Sequence, residues 1–177
     1  MAFERIGGEE AWSGRLFSVH VDRFRYDDGE EAECEIARHP GAVGVVAHDG
    51  EHLYLVRQPR EPVGEPALLE LPAGKLDEEG ESPLDTAKRE LAEEIGKRAA
   101  QWVELLAFYT SPGFSDERVW LYLATDLSEA PEPGAADEDE RIEIVPWPLS
   151  RLSEAIEQCE DSKSLIALMW LAAHRLP

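Results

Sequence analysis

The segment running from Ser82-Pro83-Leu84-Asp85 to Gly96 constrains the chain most, because it carries both ends of a helix in its own residues. Ser82 suits an N-cap. Pro83 fits the first helical position, where no N–H is required, and Asp85 suits the positive end of the helix dipole. Gly96 supplies the stop, so a helix is expected over about 83–95. Leu84, Ala87, Leu91 and Ile95 recur at three or four residues and form one apolar stripe that has to face a sheet. Glu90, Glu93 and Glu94, at i, i+3 and i+4, set three carboxylates side by side on the face away from Leu84 and Leu91. Neighbouring anions on a helix cost about 0.2–0.5 kcal/mol per pair unless a cation sits among them. With neither Cys nor His in the group, the donors are hard oxygens, which suit Mg²⁺ or Mn²⁺ rather than zinc, and magnesium commonly bridges to substrate phosphate. Read from the residues alone, the triplet is either a metal site for phosphate chemistry or a solvated acidic face.

The rest of the chain supplies strands for that helix to cover. Phe17, Val19 and Val21 alternate with polar neighbours, and Phe24 and Tyr26 precede the turn signal Asp27-Asp28-Gly29, which leads into Glu31 to Arg38. An N-terminal hairpin is expected there. Ala42 to Ala47 and Leu53 to Val56 form a second hairpin around Asp49-Gly50. Trp102 to Tyr109, Val119 to Thr125 and Ile142 to Val145 are further strands, and from Leu149 on two helices are expected, broken near Asp161-Ser162. Glu61 to Pro66 and Ala130 to Asp139, rich in Pro, Glu and Gly, are expected to be loops. Interleaved strands and helices of this kind make an α/β sandwich with a mixed sheet.

Charge limits what such a fold can bind. Seventeen Lys and Arg against 38 Asp and Glu give a formal charge of −21 over 177 residues. That balance argues against nucleic acid or an anionic membrane as a partner, so any phosphate chemistry here has to recruit cations. The longest apolar run, Leu165 to Ala173, is too short for a bilayer span, and Met1 to Arg5 lacks the shape of a signal peptide. The chain is therefore expected to be soluble and cytoplasmic. Cys34 and Cys159 lie far apart, outside any ligand-like cluster, and are read as reduced packing residues. Trp12 and Phe17 could stack on a base, but strand aromatics are more often core.

From Glu81 through Gly96 the sequence, with Arg89-Glu90-Leu91-Ala92-Glu93-Glu94 at its centre, resembles the Nudix box, G-x5-E-x7-R-E-U-x-E-E-x-G-U with U aliphatic. It departs from that pattern in having six residues between Gly74 and Glu81, and Lys97 in the last position. Leu69 to Gly74, Val56 to Arg60 and Ser111 to Glu117 are similar to the ADP-ribose pyrophosphatase branch of that family, in which a proline sixteen residues past the box glycine is a marker; Pro112 holds that place. The acidic run Asp137 to Glu140 resembles the catalytic loop of the same branch.

The resemblance implies a Nudix-type α/β/α sandwich over residues 41–177, preceded by a small antiparallel β extension over 1–40 that pairs two subunits into a homodimer. It implies Mg²⁺ or Mn²⁺ held by Glu90, Glu94, Glu140 and the carbonyl of Ala73. Glu138 is implied as the base, with Glu93 assisting, and Arg89 with Glu81 bracing the loop to the helix. The substrate would be a nucleoside diphosphate, ADP-ribose foremost, contacted by Arg57, Arg60, Glu70, Pro112 and Gly113. Two arginines just ahead of an acidic site suit a diphosphate in any case. Left open are another nucleotide sugar or a dinucleotide as substrate, and a Nudix domain that binds ADP-ribose without cleaving it.

Overall fold

The computed structural model describes residues 2–131 and 141–174, which form two compact units. One takes in Met1–Gly41 with Phe108–Arg118, the other Ala42–Ala107 with Val119–Pro177.

The second unit is a mixed sheet with helices. β4 (Ala42–His48) is buried along its whole length, as expected of an apolar run that lies inside a sheet covered on both faces. It pairs antiparallel with β5 (His52–Arg60) and with the short β7 (Ala73–Lys75), and parallel with β9 (Arg118–Glu129). β8 (Lys97–Tyr109) lies beyond β9, while β10 (Glu143–Pro148) and β6 (Glu65–Glu70) both pair antiparallel with β5. Gly44 stands opposite Leu121 in the parallel pair, and a Cβ there would lie 2.8 Å from the leucine Cδ2. The absent side chain is what lets Leu121 fill that space.

The helix expected over 83–95 is α1 (Pro83–Ile95), with the caps its residues imply. The Asp85 N–H donates to Ser82 Oγ at 3.2 Å, and Gly96 takes a left-handed conformation, φ 67°. Ala87, Leu91 and Ile95 are buried against Val43, Val45, Ala47 and Val56, with Leu84 partly buried beside them. After a 3-10 turn at Leu149–Arg151 come α2 (Leu152–Gln158) and α3 (Ser162–Ala173), and Asp161 caps α3 by accepting the Ser164 N–H at 2.9 Å. Among the described residues no helix is long and apolar enough to cross a membrane.

Three local readings change. Glu61 to Pro66 is not simply a loop: a 3-10 turn at Glu61–Val63 ends on a left-handed Gly64, and β6 begins at Glu65. The N-terminal hairpin, β2 (Ser18–Tyr26) with β3 (Glu31–Arg38), gains a third strand, β1 (Phe3–Ser13). Trp12 and Phe17 are not core: they are 53% and 37% exposed and pack on each other, ring centroids 5.4 Å apart. Of the expected loop at Ala130 to Asp139, residues 132–139 lie outside the described residues.

The first unit is clamped by one carboxylate. Asp22 of β2 has no exposed surface and accepts from Arg5 at 2.7 Å and from Arg38 at 2.6 Å, while Arg38 reaches Asp116 at 2.9 Å. The Arg5 hydrogen bond, assisted by Arg38, outweighs burial and holds the Asp22 carboxyl at about 2, below its ordinary 3.8. A carboxyl depressed on folding adds stability that is complete above the unfolded value and lost as pH falls through the folded one. Asp22→Asn is therefore expected to melt at a lower temperature than the parent at pH 7, with the gap closing as pH drops from about 3.8 toward 2. Paired thermal melts check this, and a gap independent of pH would mean that ionisation of Asp22 is not what clamps the sheet.

Candidate active site

The carboxylates of α1 are gathered by a cation from the same helix. Arg89 donates through one terminal nitrogen to Glu90 Oε1 at 2.8 Å and to Glu93 Oε2 at 2.9 Å. Its other terminal nitrogen and Nε reach Glu81 at 3.2 and 3.3 Å. Burial works against the guanidinium charge, but Glu81, Glu90 and Glu93 together outweigh it and raise the Arg89 pKa above its ordinary value. Glu81 also accepts from the buried Thr86 hydroxyl at 2.9 Å, which ties the loop ahead of α1 to the helix's first turn. The repulsion expected of adjacent glutamates is thus met inside the fold by Arg89.

The triplet is not one solvated face. Glu94 is only 7% exposed, and its Oε2 accepts the N–H of Ala73 in β7 at 2.9 Å. One residue on, the Glu90 carboxylate lies directly over Gly74, where a Cβ would fall 1.9 Å from Glu90 Oε1. A backbone strand and two glutamates of the facing helix therefore meet at Ala73 and Gly74. Among the described residues no three carboxylates, imidazoles or thiolates converge as a ready metal cluster. The donor set still fits a hard divalent cation, being entirely oxygen, and the notch at Gly74 is shaped to the Glu90 carboxylate.

A second ionic group is built on Glu70, at the end of β6 and 1% exposed. Arg60 forks onto it, Nε to Oε1 at 2.6 Å and a terminal nitrogen to Oε2 at 2.9 Å, and Lys163 of α3 donates to Oε2 at 2.6 Å. Burial pushes the Glu70 carboxyl up, but Arg60 and then Lys163 reverse this and leave its pKa below the ordinary value. The Arg60 guanidinium is raised, by Glu70 first, with Asp161 and Glu94 adding their fields, so it lies within electrostatic reach of the Glu94 carboxylate.

Arg57 is engaged in structure, donating to the Ala67 carbonyl at 3.1 Å and to Gln158 Oε1 at 3.3 Å. The structure thus joins Arg60 to Glu70, Ala73 to Glu94, and Arg89 to Glu90 and Glu93. Pro112 and Gly113 belong to the first unit, where they line a pocket of about 260 Å³ with Phe3, Phe24, Tyr26 and Phe114. Glu138 and Glu140 lie outside the described residues. Lys163 is the ionic partner that sequence reasoning missed: it meets Glu70 across 93 residues, and nothing in either local pattern signals that pairing.

A model of the NUDIX domain matches residues 38–168. A methanol dehydrogenase activator of Bacillus methanolicus is 41% identical over 169 residues, covering 94% of this chain and 90% of its own length. An ADP-ribose pyrophosphatase of Bacillus subtilis (strain 168) is 40% identical over 169 residues with the same coverage. A crystal structure described as an ADP compounds hydrolase superposes with a TM-score of 0.82 at 26% identity, over 98% of this chain and 96% of that one.

Proposed function

We propose a reaction from one premise, that this chain belongs to the NUDIX family and is a Nudix hydrolase: metal-dependent cleavage of the pyrophosphate bond of ADP-ribose to AMP and ribose 5-phosphate. The observation that carries it is the match to an ADP-ribose pyrophosphatase across 94% of the chain. The arrangement at the helix supports it, since Glu90 and Glu94 stand against the backbone of Ala73 and Gly74.

In this reading Glu90, Glu94, Glu140 and the Ala73 carbonyl hold Mg²⁺ or Mn²⁺. When bound, the cation supplies charge neutralisation for the diphosphate and acidifies the attacking water. Arg60, 41% exposed, brings a guanidinium to the diphosphate, a role its geometry suits better than that of Arg57. Glu70 fixes Arg60, and Pro112 and Gly113 are kept as substrate-binding residues. Arg89 holds Glu90 and Glu93 in place. Water attacks one phosphorus, the bridging P–O bond breaks, and Glu138 takes the proton, with Glu93 assisting. The same reading includes a cytoplasmic homodimer paired through the strands of residues 3–38, where Phe3, Trp12 and Leu16 are exposed.

The kcat/KM for ADP-ribose is expected to exceed that for GDP-mannose by tenfold or more, about 1.4 kcal/mol of transition-state preference. A steady-state panel with phosphatase-coupled detection measures it, and a tenfold preference for GDP-mannose would move the substrate to another nucleotide sugar. A second reading, action on a dehydrogenase partner, is favoured by the Bacillus methanolicus relative. It requires a dehydrogenase rate that rises on adding this protein.

A further inference from the structure

We propose that Lys163 is a positioning residue for substrate binding, acting through the Glu70 carboxylate to aim the Arg60 guanidinium at the diphosphate. This rests on the reading of Arg60 as the diphosphate ligand. Glu70 has both oxygens occupied: Oε1 by Arg60 Nε, Oε2 by an Arg60 terminal nitrogen and by Lys163 Nζ. A guanidinium is planar, so a fork across one of its edges fixes its plane to that of the carboxylate and turns the remaining terminal nitrogen away from Glu70. Whatever sets the carboxylate therefore sets Arg60.

Arg60 alone would leave the carboxylate free to turn with it, because Arg60 is 41% exposed and comes from the end of β5. Lys163 is the inner anchor at 15% exposure, and its own position is doubly held. Its Nζ pairs with Asp161 at 3.0 Å, and Asp161 accepts from both the N–H and the hydroxyl of Ser164, at 2.9 and 2.5 Å. Ser164 Oγ in turn accepts the Leu71 N–H at 2.7 Å, directly beyond Glu70. The start of α3 and the end of β6 thus form one buried frame around the carboxylate.

The frame is balanced in charge, with Glu70 and Asp161 against Arg60 and Lys163. What Lys163 contributes is therefore direction rather than excess charge, Arg60 being the more exposed of the two cations and the one on the solvent side. In a chain of net charge −21, a neutral frame of this kind makes the aim of the Arg60 donors, not bulk attraction, what a dianionic diphosphate can use.

A double-mutant cycle tests this, with KM and kcat for ADP-ribose at saturating Mg²⁺ and a thermal melt of each variant. Lys163→Met is expected to raise KM about tenfold with kcat changed by less than about threefold, and Lys163→Arg to recover most of the loss. In an Arg60→Met background, Lys163→Met should add less than about twofold. Should Arg60→Met not fold, Arg60→Lys serves, since it keeps a charge but not the fork. An unchanged KM in Lys163→Met, whatever its melting temperature, overturns the proposal and leaves Lys163 a structural counter-ion. An equal tenfold effect in both backgrounds overturns it too, because Lys163 then acts independently of Arg60. If Arg60→Met itself leaves KM unchanged, the diphosphate role of Arg60 falls, and this proposal falls with it.

Discussion

Glu94→Gln is expected to lower kcat by about three orders of magnitude while leaving the fold intact. The side chain is nearly buried and accepts the Ala73 N–H at 2.9 Å. Glutamine keeps a carbonyl oxygen of the same reach, so β7 stays fastened to α1. What disappears is the negative charge, beside Glu90 in the next turn of the helix, and losing a buried charge of that kind is neutral or mildly stabilising. Activity and stability should therefore separate: a melting temperature within a few degrees of the parent, and a collapsed kcat that added Mg²⁺ does not restore. Near-normal turnover at low millimolar Mg²⁺ would remove Glu94 from the catalytic machinery and leave it a loop anchor.

Gly74→Ala is expected to reduce kcat by about two orders of magnitude, at a stability cost of about 1 kcal/mol or less. The new Cβ would stand 1.9 Å from Glu90 Oε1, 2.0 Å from its Cδ and 2.5 Å from its Cγ, distances that no packing tolerates. Every one of those atoms belongs to the outer part of one flexible side chain, so the cheapest relief is for Glu90 to swing aside. That motion breaks the 2.8 Å bond from Arg89 and takes away a proposed metal ligand, while the sheet and helix remain in place. Steady-state kinetics with a parallel melt distinguish the outcomes. A variant within twofold of the parent kcat would mean that Glu90 does its work from somewhere other than the Gly74 notch.

How much of this could be read beforehand differed by element, for physical reasons. α1 was legible to the residue because its stop and start are local: the Ser82 cap, the Pro83 start and the left-handed Gly96 need no tertiary partner. β4 was legible as an unbroken apolar run. β1 was not. Its pairing with β2 slips between Arg5 and Gly7 and again between Glu10 and Trp12, so the alternation of polar and apolar residues loses phase, and a Gly-Gly-Glu-Glu run reads as a turn. β6 and β7 were hidden by Pro66 and Pro72: Pro66 is tolerated because it falls at the register slip between Glu65 and Leu68, where the ladder to β5 is interrupted, and Pro72 lies just ahead of β7. At the site, the box spacing identified which acids and which arginine stand together on one helix. It could not say that Glu94 would be buried onto Ala73, or that Glu70, Arg60 and Lys163 would meet, because those encounters are decided by how β5, β6 and α3 pack.

The register of β4 sets an order on assembly. The strands of the amino-terminal meander, β1 to β3, find each other through short connections, and β4 meets β5 through the turn at Asp49-Gly50. Its other long neighbour, however, is β9, with Ala42 beside Val119 and Ala47 beside Ala124. Closing so long a span has an entropic cost that no local contact offsets in advance, and until it closes the most apolar strand of the chain keeps one edge open. During synthesis that edge emerges well before the segment that will cover it. The interval between the two is when the chain is most exposed to wrong partners, and the charges of Asp49 and Glu51 flank the strand on one side only, in the turn that follows it.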